Sequence, residues 1–276
     1  MDNLKAKKRH PEEIAVYSAI YVCAAFSVLL LLGIIIYVFA KGARRVNWAF
    51  LTGVTSILHG TVGIAGNILN TLIIILLTMI ITTPIGVGAA IYLNEYAKPG
   101  KLVTVIIFAT ETLAGIPSII FGLFGMLFFG QLCHMGYSLL TGSLTLTLMV
   151  LPLVTRNTQE ALKTVPDSFR TGAVGLGAGK WYTIRTILLP SAMPGIVTGV
   201  ILAIGRIIGE SAALLFTAGS AHLLPKTFDA FLEKIFHSGG TLTIQLYLSA
   251  SKGEFEVAFG IAVVLLVIVL LSLIHI

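Results

Sequence analysis

GLGAGKWYTIRTILLP, residues 175–190, is the stretch on which the reading of this sequence turns. Glycines at 175, 177 and 179 followed by Lys180 resemble a loop that cradles phosphate. A P-loop needs G-x-x-x-x-G-K-[ST], so that backbone N–H groups surround the phosphates and a hydroxyl holds magnesium. Counted back from Gly179, the first glycine position holds Val174, and the residue after Lys180 is Trp181. The dinucleotide pattern G-x-G-x-x-G fails too, because Lys180 stands where its third glycine belongs and no strand precedes it. This chain therefore binds no nucleotide or other cofactor of its own, and the stretch must serve something else.

Its surroundings say what kind of protein carries it. The 276 residues are 57% hydrophobic and only 11% charged, and the mean hydropathy is +0.98, far outside the soluble globular range. A bilayer core about 30 Å thick takes roughly 20 apolar residues per helix. Six runs satisfy this: 14–40, 68–93, 102–129, 137–154, 194–218 and 257–276. The expected fold is an all-α integral membrane protein with six transmembrane helices. The first run follows Lys5, Lys7, Lys8 and Arg9 as a signal peptide would, yet its apolar length exceeds a signal sequence and reads as an uncleaved anchor.

Lysine and arginine collect on the cytoplasmic side of short loops. The N-terminal group, Lys98 and Lys101 in the second-to-third connection, and Arg156, Lys163, Arg170, Lys180 and Arg185 in the fourth-to-fifth all fall on one side. Lys41, Arg44 and Arg45 oppose that assignment, as do Lys226, Lys234 and Lys252, although the latter share their loop with Asp229, Glu233, Glu254 and Glu256. The balance places both termini in the cytoplasm. A net charge of +6 is then mostly a matter of topology, and nucleic acid is excluded as its explanation. The terminal LLVIVLLSLIHI, residues 265–276, stops at the membrane edge without basic anchors, the pattern of a chain whose cytoplasmic tail is absent or truncated.

Residues 1–66 form an appendage of N-terminal tail, first helix and external loop, and 67–276 form the main transmembrane domain. Two longer connections interrupt that domain. In the cytoplasmic one, 155–185, a short helix starts at Asp167 or Ser168 after Pro166 and ends at Gly177 or Gly179. The outer one, 219–254, mixes Phe228, Phe231, Phe236 and Tyr247 with charges, which suits a folded external loop or interfacial helices. Cys23 and Cys133 read as buried small apolar side chains, and His59, His134, His222 and His237 show no metal spacing.

The opening stretch resembles the cytoplasmic loop of ABC-importer permeases: E-A-A, three residues, Gly, nine residues, Ile, one residue, Leu-Pro. Gly177, Ile187, Leu189 and Pro190 match at the required spacing. The acidic start is missing, since the E-A-A positions read Thr171, Gly172 and Ala173, and Glu160-Ala161-Leu162 cannot replace it in register. In that family the loop forms a coupling helix that docks on an ATPase subunit. Losing the glutamate removes one polar contact of the docking and leaves the helix. Four further strings, TPIGVGAAIYLNEYA (83–97), ETLAGIPSIIFGLFG (111–125), EALKTVPDSFR (160–170) and GRIIGESAALLFTAG (205–219), resemble the second permease of phosphate-specific transport systems.

That resemblance implies a type I importer permease, with a MetI-like core of five helices plus an N-terminal helix. It implies an inner-membrane subunit, not an enzyme, paired with a homologous permease as a heterodimer. It also implies two ATPase subunits that carry ATP and magnesium, and an external phosphate-binding protein. Importers of sulfate, molybdate and amino acids share the coupling loop and generally lack the other strings.

The residues point the same way. Arg206 and Glu210, four apart, would share one helical face in the middle of the fifth run. A lone charge near the bilayer centre costs about 2.5–3.5 kcal/mol on insertion scales, so a partner or a polar path must compensate. A guanidinium matches phosphate oxygens in plane, and a nearby carboxylate would hold it between passages. An ion pair that only fixes helix packing would also satisfy both groups. Glu111 in the third run is a further pathway candidate, with a solvated or structural role as the alternative. Three rival functions remain at this stage: an importer of another oxyanion, an ion-coupled secondary transporter using Glu111, Arg206 and Glu210 as a relay, and a membrane scaffold that senses phosphate through its partners.

Overall fold

The computed structural model describes residues 11–56, 61–98, 100–225 and 227–273. The basic positions Lys5, Lys7, Lys8 and Arg9, together with His59, Lys226 and residues 274–276 of the sixth run, lie outside them. In chain order the elements are α1 (Pro11–Gly42), α2 (Trp48–Thr52), the antiparallel pair β1 (Val54–Ser56) and β2 (Thr61–Ile64), α3 (Ala65–Ile91), α4 (Lys101–Gly115), α5 (Ser118–Gly125), α6 (Leu139–Lys163) and α7 (Asp167–Gly175). Then follow α8 (Lys180–Thr183), α9 (Leu189–Gly209), α10 (Ala212–Thr217), α11 (Phe228–Lys234), α12 (Leu242–Ser251) and α13 (Phe255–Leu273). Wider π turns prolong α3 over Tyr92–Tyr96 and α5 over Met126–Leu132, and join α8 to α9 over Ile184–Leu188.

Five helices among the described residues are long and apolar enough to cross a bilayer, and α4 with α5 makes a sixth crossing when taken as one span. Three boundaries differ from the sequence reading. The run 102–129 is bent by 102° between α4 and α5. Pro117 has no N–H to donate and pushes Ile116 out of the helical region, to φ −73° and ψ 131°. The fourth helix continues past Val154 to Lys163, so Arg156 and Glu160 ride on α6 and not in a loop. The fifth span begins at Lys180 and stops at Gly209, because Glu210 is extended at φ −81° and ψ 125°.

At the centre lies α6, the least apolar of the spans and the most buried. Ser143, Thr145 and Thr147 return their hydroxyls to the carbonyls of Leu139, Thr141 and Ser143 at 2.8 Å each, which lets polar side chains sit inside without unmet donors. Small residues bring the neighbours close: a side chain at Gly125 would strike Thr145, and one at Gly122 would strike the Ala213 backbone. Around it, Ile74, Phe121, Leu146, Val150, Ala203 and Leu214 form the main apolar core. A second cluster at the α7 end joins Leu162, Val165, Ile184, Leu188 and Ile196.

The opposite end is closed by the connection after α10. Asn67 donates to the Gly240 carbonyl at 2.9 Å, and Asn70 donates to the Ala221 and Gly240 carbonyls at 3.0 Å each. By contrast α1 stands aside, meeting α13 where Gly42 abuts the Phe259 backbone and Tyr37 packs edge-on against the Phe259 ring.

Candidate functional site

Charged groups gather where α4, α6 and α9 face one another. α4 presents Thr110, Glu111 and Ala114; α6 presents Met149, Pro152, Leu153, Arg156 and Asn157; α9 adds Arg206. Together they line a half-open cavity of about 160 Å³. An Arg156 Nη1 lies 3.5 Å from Glu111 Oε1, and both side chains are more than half exposed, 66% and 57%. An adjoining cavity of about 140 Å³ carries the polar lining on along α6 through Gln159, Glu160 and Lys163.

Helical spacing explains why α6 can do this. Met149, Leu153, Arg156, Gln159, Glu160 and Lys163 fall at three- and four-residue steps along one face. The opposite face buries Val150, Val154, Ala161 and Leu162. Two guanidinium groups opposed by one carboxylate leave the first cavity electropositive, suited to an anion whose oxygens can take several N–H donors at once. Charges this exposed on membrane-crossing helices need a watery path or a protein partner in front of them, not lipid.

The three pathway residues inferred from sequence part company here. Glu111 and Arg206 line the same cavity. Glu210 does not share a helical face with Arg206, since the helix ends one residue before it. Its Oε1 accepts from the Ala213 N–H at 3.1 Å and so starts α10, while its carbonyl accepts from the Thr243 hydroxyl at 2.7 Å. No ion pair joins Glu210 to Arg206 among the described residues. The sequence reading missed Arg156 as a cavity residue because it ended the fourth helix at Val154. The signal was there: Arg156 lies seven residues after Met149, two turns along the same face.

A second assembly sits at the far end of α6. Pro166 leads into α7, and Arg170 on its second turn is gripped from several sides. Its Nη2 donates to Glu95 Oε1 at 2.9 Å and to the Leu162 carbonyl at 3.1 Å, and its Nη1 donates to Asp167 Oδ1 and the Val165 carbonyl at 3.0 Å each. The Glu95 carboxylate raises the Arg170 pKa above its ordinary value, chiefly through these hydrogen bonds and against the effect of burial. The π turn that ends α3 supplies Glu95, and the next residue, Tyr96, lies under the Lys180 ammonium at 4.8 Å. Neither contact was foreseen from the sequence.

The matched motif residues shape this segment. Gly177 has φ +81°, and the Gly177 and Ala178 N–H groups bond to the Val174 and Ala173 carbonyls at 2.9 and 3.0 Å, a Schellman closure that favours glycine. Ala173 is buried, whereas Gly172 is exposed and the Thr171 hydroxyl turns back to the Asp167 carbonyl. Ile187 lies in the π turn before α9, Leu189 packs on the second apolar cluster, and Pro190 sits in the first turn of α9, where its missing N–H costs nothing. Outward, Val174, Trp181, Tyr182 and the 91% exposed Leu176 make an apolar patch at the tip.

Comparison with known proteins places the chain in a family. Residues 82–276 match the model of the family described as binding-protein-dependent transport system inner membrane component. A probable ABC transporter permease, YqgI of Bacillus subtilis (strain 168), is 37% identical over 246 residues, covering 87% of this chain and 84% of the relative. Phosphate transport system permease protein PstA 1 of Mycobacterium tuberculosis (strain ATCC 25618 / H37Rv) is 34% identical over 226 residues, 80% of this chain and 67% of that protein. Among solved structures, a chain of a bacterial alginate ABC transporter, crystallised with an alginate-bound periplasmic protein, superposes with a TM-score of 0.68 at 16% identity, covering 95% and 93% of the two chains. With a family match over residues 82–276, the chain belongs to the binding-protein-dependent transport system inner membrane component family.

Proposed function

We propose that this chain is the inner-membrane permease of an ATP-driven importer of inorganic phosphate, with the translocation path running past Arg206, Arg156 and Glu111. The observation that carries the reading is the electropositive, half-open cavity on membrane-crossing helices, since such exposed charges need a second wall. A homologous permease supplies that wall, making a heterodimer. Phosphate as the cargo rests on the chemistry of two arginines against one carboxylate and on the likeness to the mycobacterial phosphate permease.

In this reading a separate ATPase dimer binds ATP and magnesium and docks on the apolar tip of α7, with the segment Thr171–Pro190 as the coupling element. An external phosphate-binding protein delivers cargo to the opposite end, and both termini lie in the cytoplasm. Displacement of α7 reaches α3 through Arg170 and Glu95, so the span leading from the tip moves with it. The Glu111 carboxylate holds Arg156 when the path is empty and yields it to phosphate during passage, which keeps binding weak enough for release. Glu210 takes no part in the path and sets the α9–α10 corner.

Radiolabelled phosphate uptake into vesicles carrying the chain with its partner subunits and binding protein tests this. ATP-dependent uptake indifferent to excess sulfate is expected. Uptake driven by an ion gradient alone would overturn the ABC assignment, and ATP-dependent uptake abolished by sulfate would move the substrate to another oxyanion.

A further inference from the structure

Three of the basic residues that oppose the charge topology, Lys41, Arg44 and Arg45, line neither of the cavities described above. Lys41 lies in the last turn of α1, and Arg44 and Arg45 lie in the short helical turn that follows it, at the end of the molecule away from α7. There Arg45, Asn47 and Thr52, with Ala49, Phe50 and the paired strands from Gly53 to Val54 and Val62 to Gly63, line a cavity of about 440 Å³.

Arg45 is held in place within it. Its stem packs where Gly260 of α13 leaves room, since a Cβ at Gly260 would fall 3.1 Å from Arg45 Cγ. Its guanidinium lies 5.9 Å from the centre of the Phe50 ring. Its Nε is buried and has no hydrogen-bond partner among the described residues, and no carboxylate there stands within ion-pair distance. Asn47 has already committed its side-chain oxygen to the Phe50 N–H at 2.8 Å, so it offers the cavity its amide donors. Arg45 lines the cavity with no carboxylate to neutralise it among the described residues, and an anion there would pair with the guanidinium N–H groups that face it.

We infer that this cavity is a binding site for a phosphate group, held by Arg45 with the Asn47 amide, while Lys41 and Arg44 add positive charge to the same stretch of chain. Trp48 stands 78% exposed beside it, as aromatic residues do at the membrane–water boundary. The exposed flank of α1 gives an acyl chain a place to lie. The same chemistry would accept a lipid headgroup phosphate or free inorganic phosphate. The inference does not depend on what the transporter carries.

The experiment compares the purified full chain with its Arg45→Met variant, which keeps the stem volume and removes the charge; Lys252→Met serves as a control. Phosphatidylglycerol retention is read by native mass spectrometry, and the effect of inorganic phosphate by the shift in melting temperature. The wild type and the control should bind at least one probe about tenfold more tightly than Arg45→Met. Retention of phosphatidylglycerol lost in Arg45→Met identifies a headgroup, and a phosphate-induced shift lost in that variant identifies the free anion. If the methionine variant fails to fold, Arg45→Lys keeps stem and charge without the planar fork of donors and should still bind more weakly than wild type. Equal response of wild type and the Arg45 variants to both probes, or response of neither, overturns the site.

Discussion

Removing Arg170 should uncouple the transporter before it unfolds it. The side chain is 24% exposed and its partner Glu95 only 9%, so the pair lies between a surface ion pair, worth at most about 1 kcal/mol, and a fully buried one, whose breakage costs about 3–5 kcal/mol. In Arg170→Ala the Glu95 carboxylate keeps the Asn94 amide at 2.8 Å and loses the guanidinium, while the Val165 carbonyl loses its guanidinium donor and the Leu162 carbonyl is left with the Val165 N–H. We expect a loss of about 2–3 kcal/mol in local stability. Glu95→Gln should cost less, because the amide oxygen still accepts from Arg170. The double variant should be less destabilised than the sum of the two, with a coupling energy above about 1 kcal/mol. Mixed-micelle unfolding gives the cycle, and ATP hydrolysed per phosphate imported gives the consequence: hydrolysis by the assembled complex persists in Arg170→Ala while uptake falls by more than tenfold. Additive stability effects together with an unchanged ratio of ATP to phosphate would refute the strut between α7 and α3.

Three other variants separate the assignments. Arg206→Ala should abolish phosphate uptake while the assembled complex still purifies, and normal uptake would remove Arg206 from the path. Glu210→Ala should instead cost about 0.5–2 kcal/mol by taking an acceptor from the start of α10, with uptake largely retained in thermal-shift and vesicle assays run side by side. Gly177→Ala places a side chain at φ +81°, at a cost of about 1–2 kcal/mol; proteolysis of the α7–α8 turn should accelerate, and ATPase stimulation by the permease should weaken.

The helices and the turn were legible in the sequence because their causes are local. Apolar runs of bilayer length mark the spans, and Pro166 and Gly177 bracket α7, whereas the 102° bend at Pro117 falls inside a run that reads as one span. What sequence spacing misjudged was where helices stop when charge and membrane pull apart. Val154 ends the apolar run but not α6, since a charged residue is no helix breaker and Arg156 continues the same ladder. Conversely, Gly209 ends α9 inside an apolar run, so four residues of separation between Arg206 and Glu210 do not put the two side chains together. The contacts of Glu95 with Arg170, and of Glu111 with Arg156, join residues 75 and 45 positions apart. No periodicity reports such pairs.

The exposure of the cavity charges carries the argument one step past the single chain. Arg156 and Glu111 could have buried each other, and a chain that spanned the membrane alone would gain by doing so. Their contact is instead at 3.5 Å, with more than half of each side chain uncovered, and Arg206 beside them is exposed as well. The buried threonines of α6 show that this protein satisfies polar groups internally where it keeps them from lipid. Leaving three charges open on one face is what the proposed path would require of one of its two walls, and the prediction is specific to assembly. In the isolated chain, Arg156→Leu should raise thermal stability or leave it unchanged, because an exposed pair of this geometry contributes under about 1 kcal/mol. In the complete complex the same substitution should abolish uptake. Equal tolerance in both settings would mean that the face meets lipid, and that the path lies elsewhere.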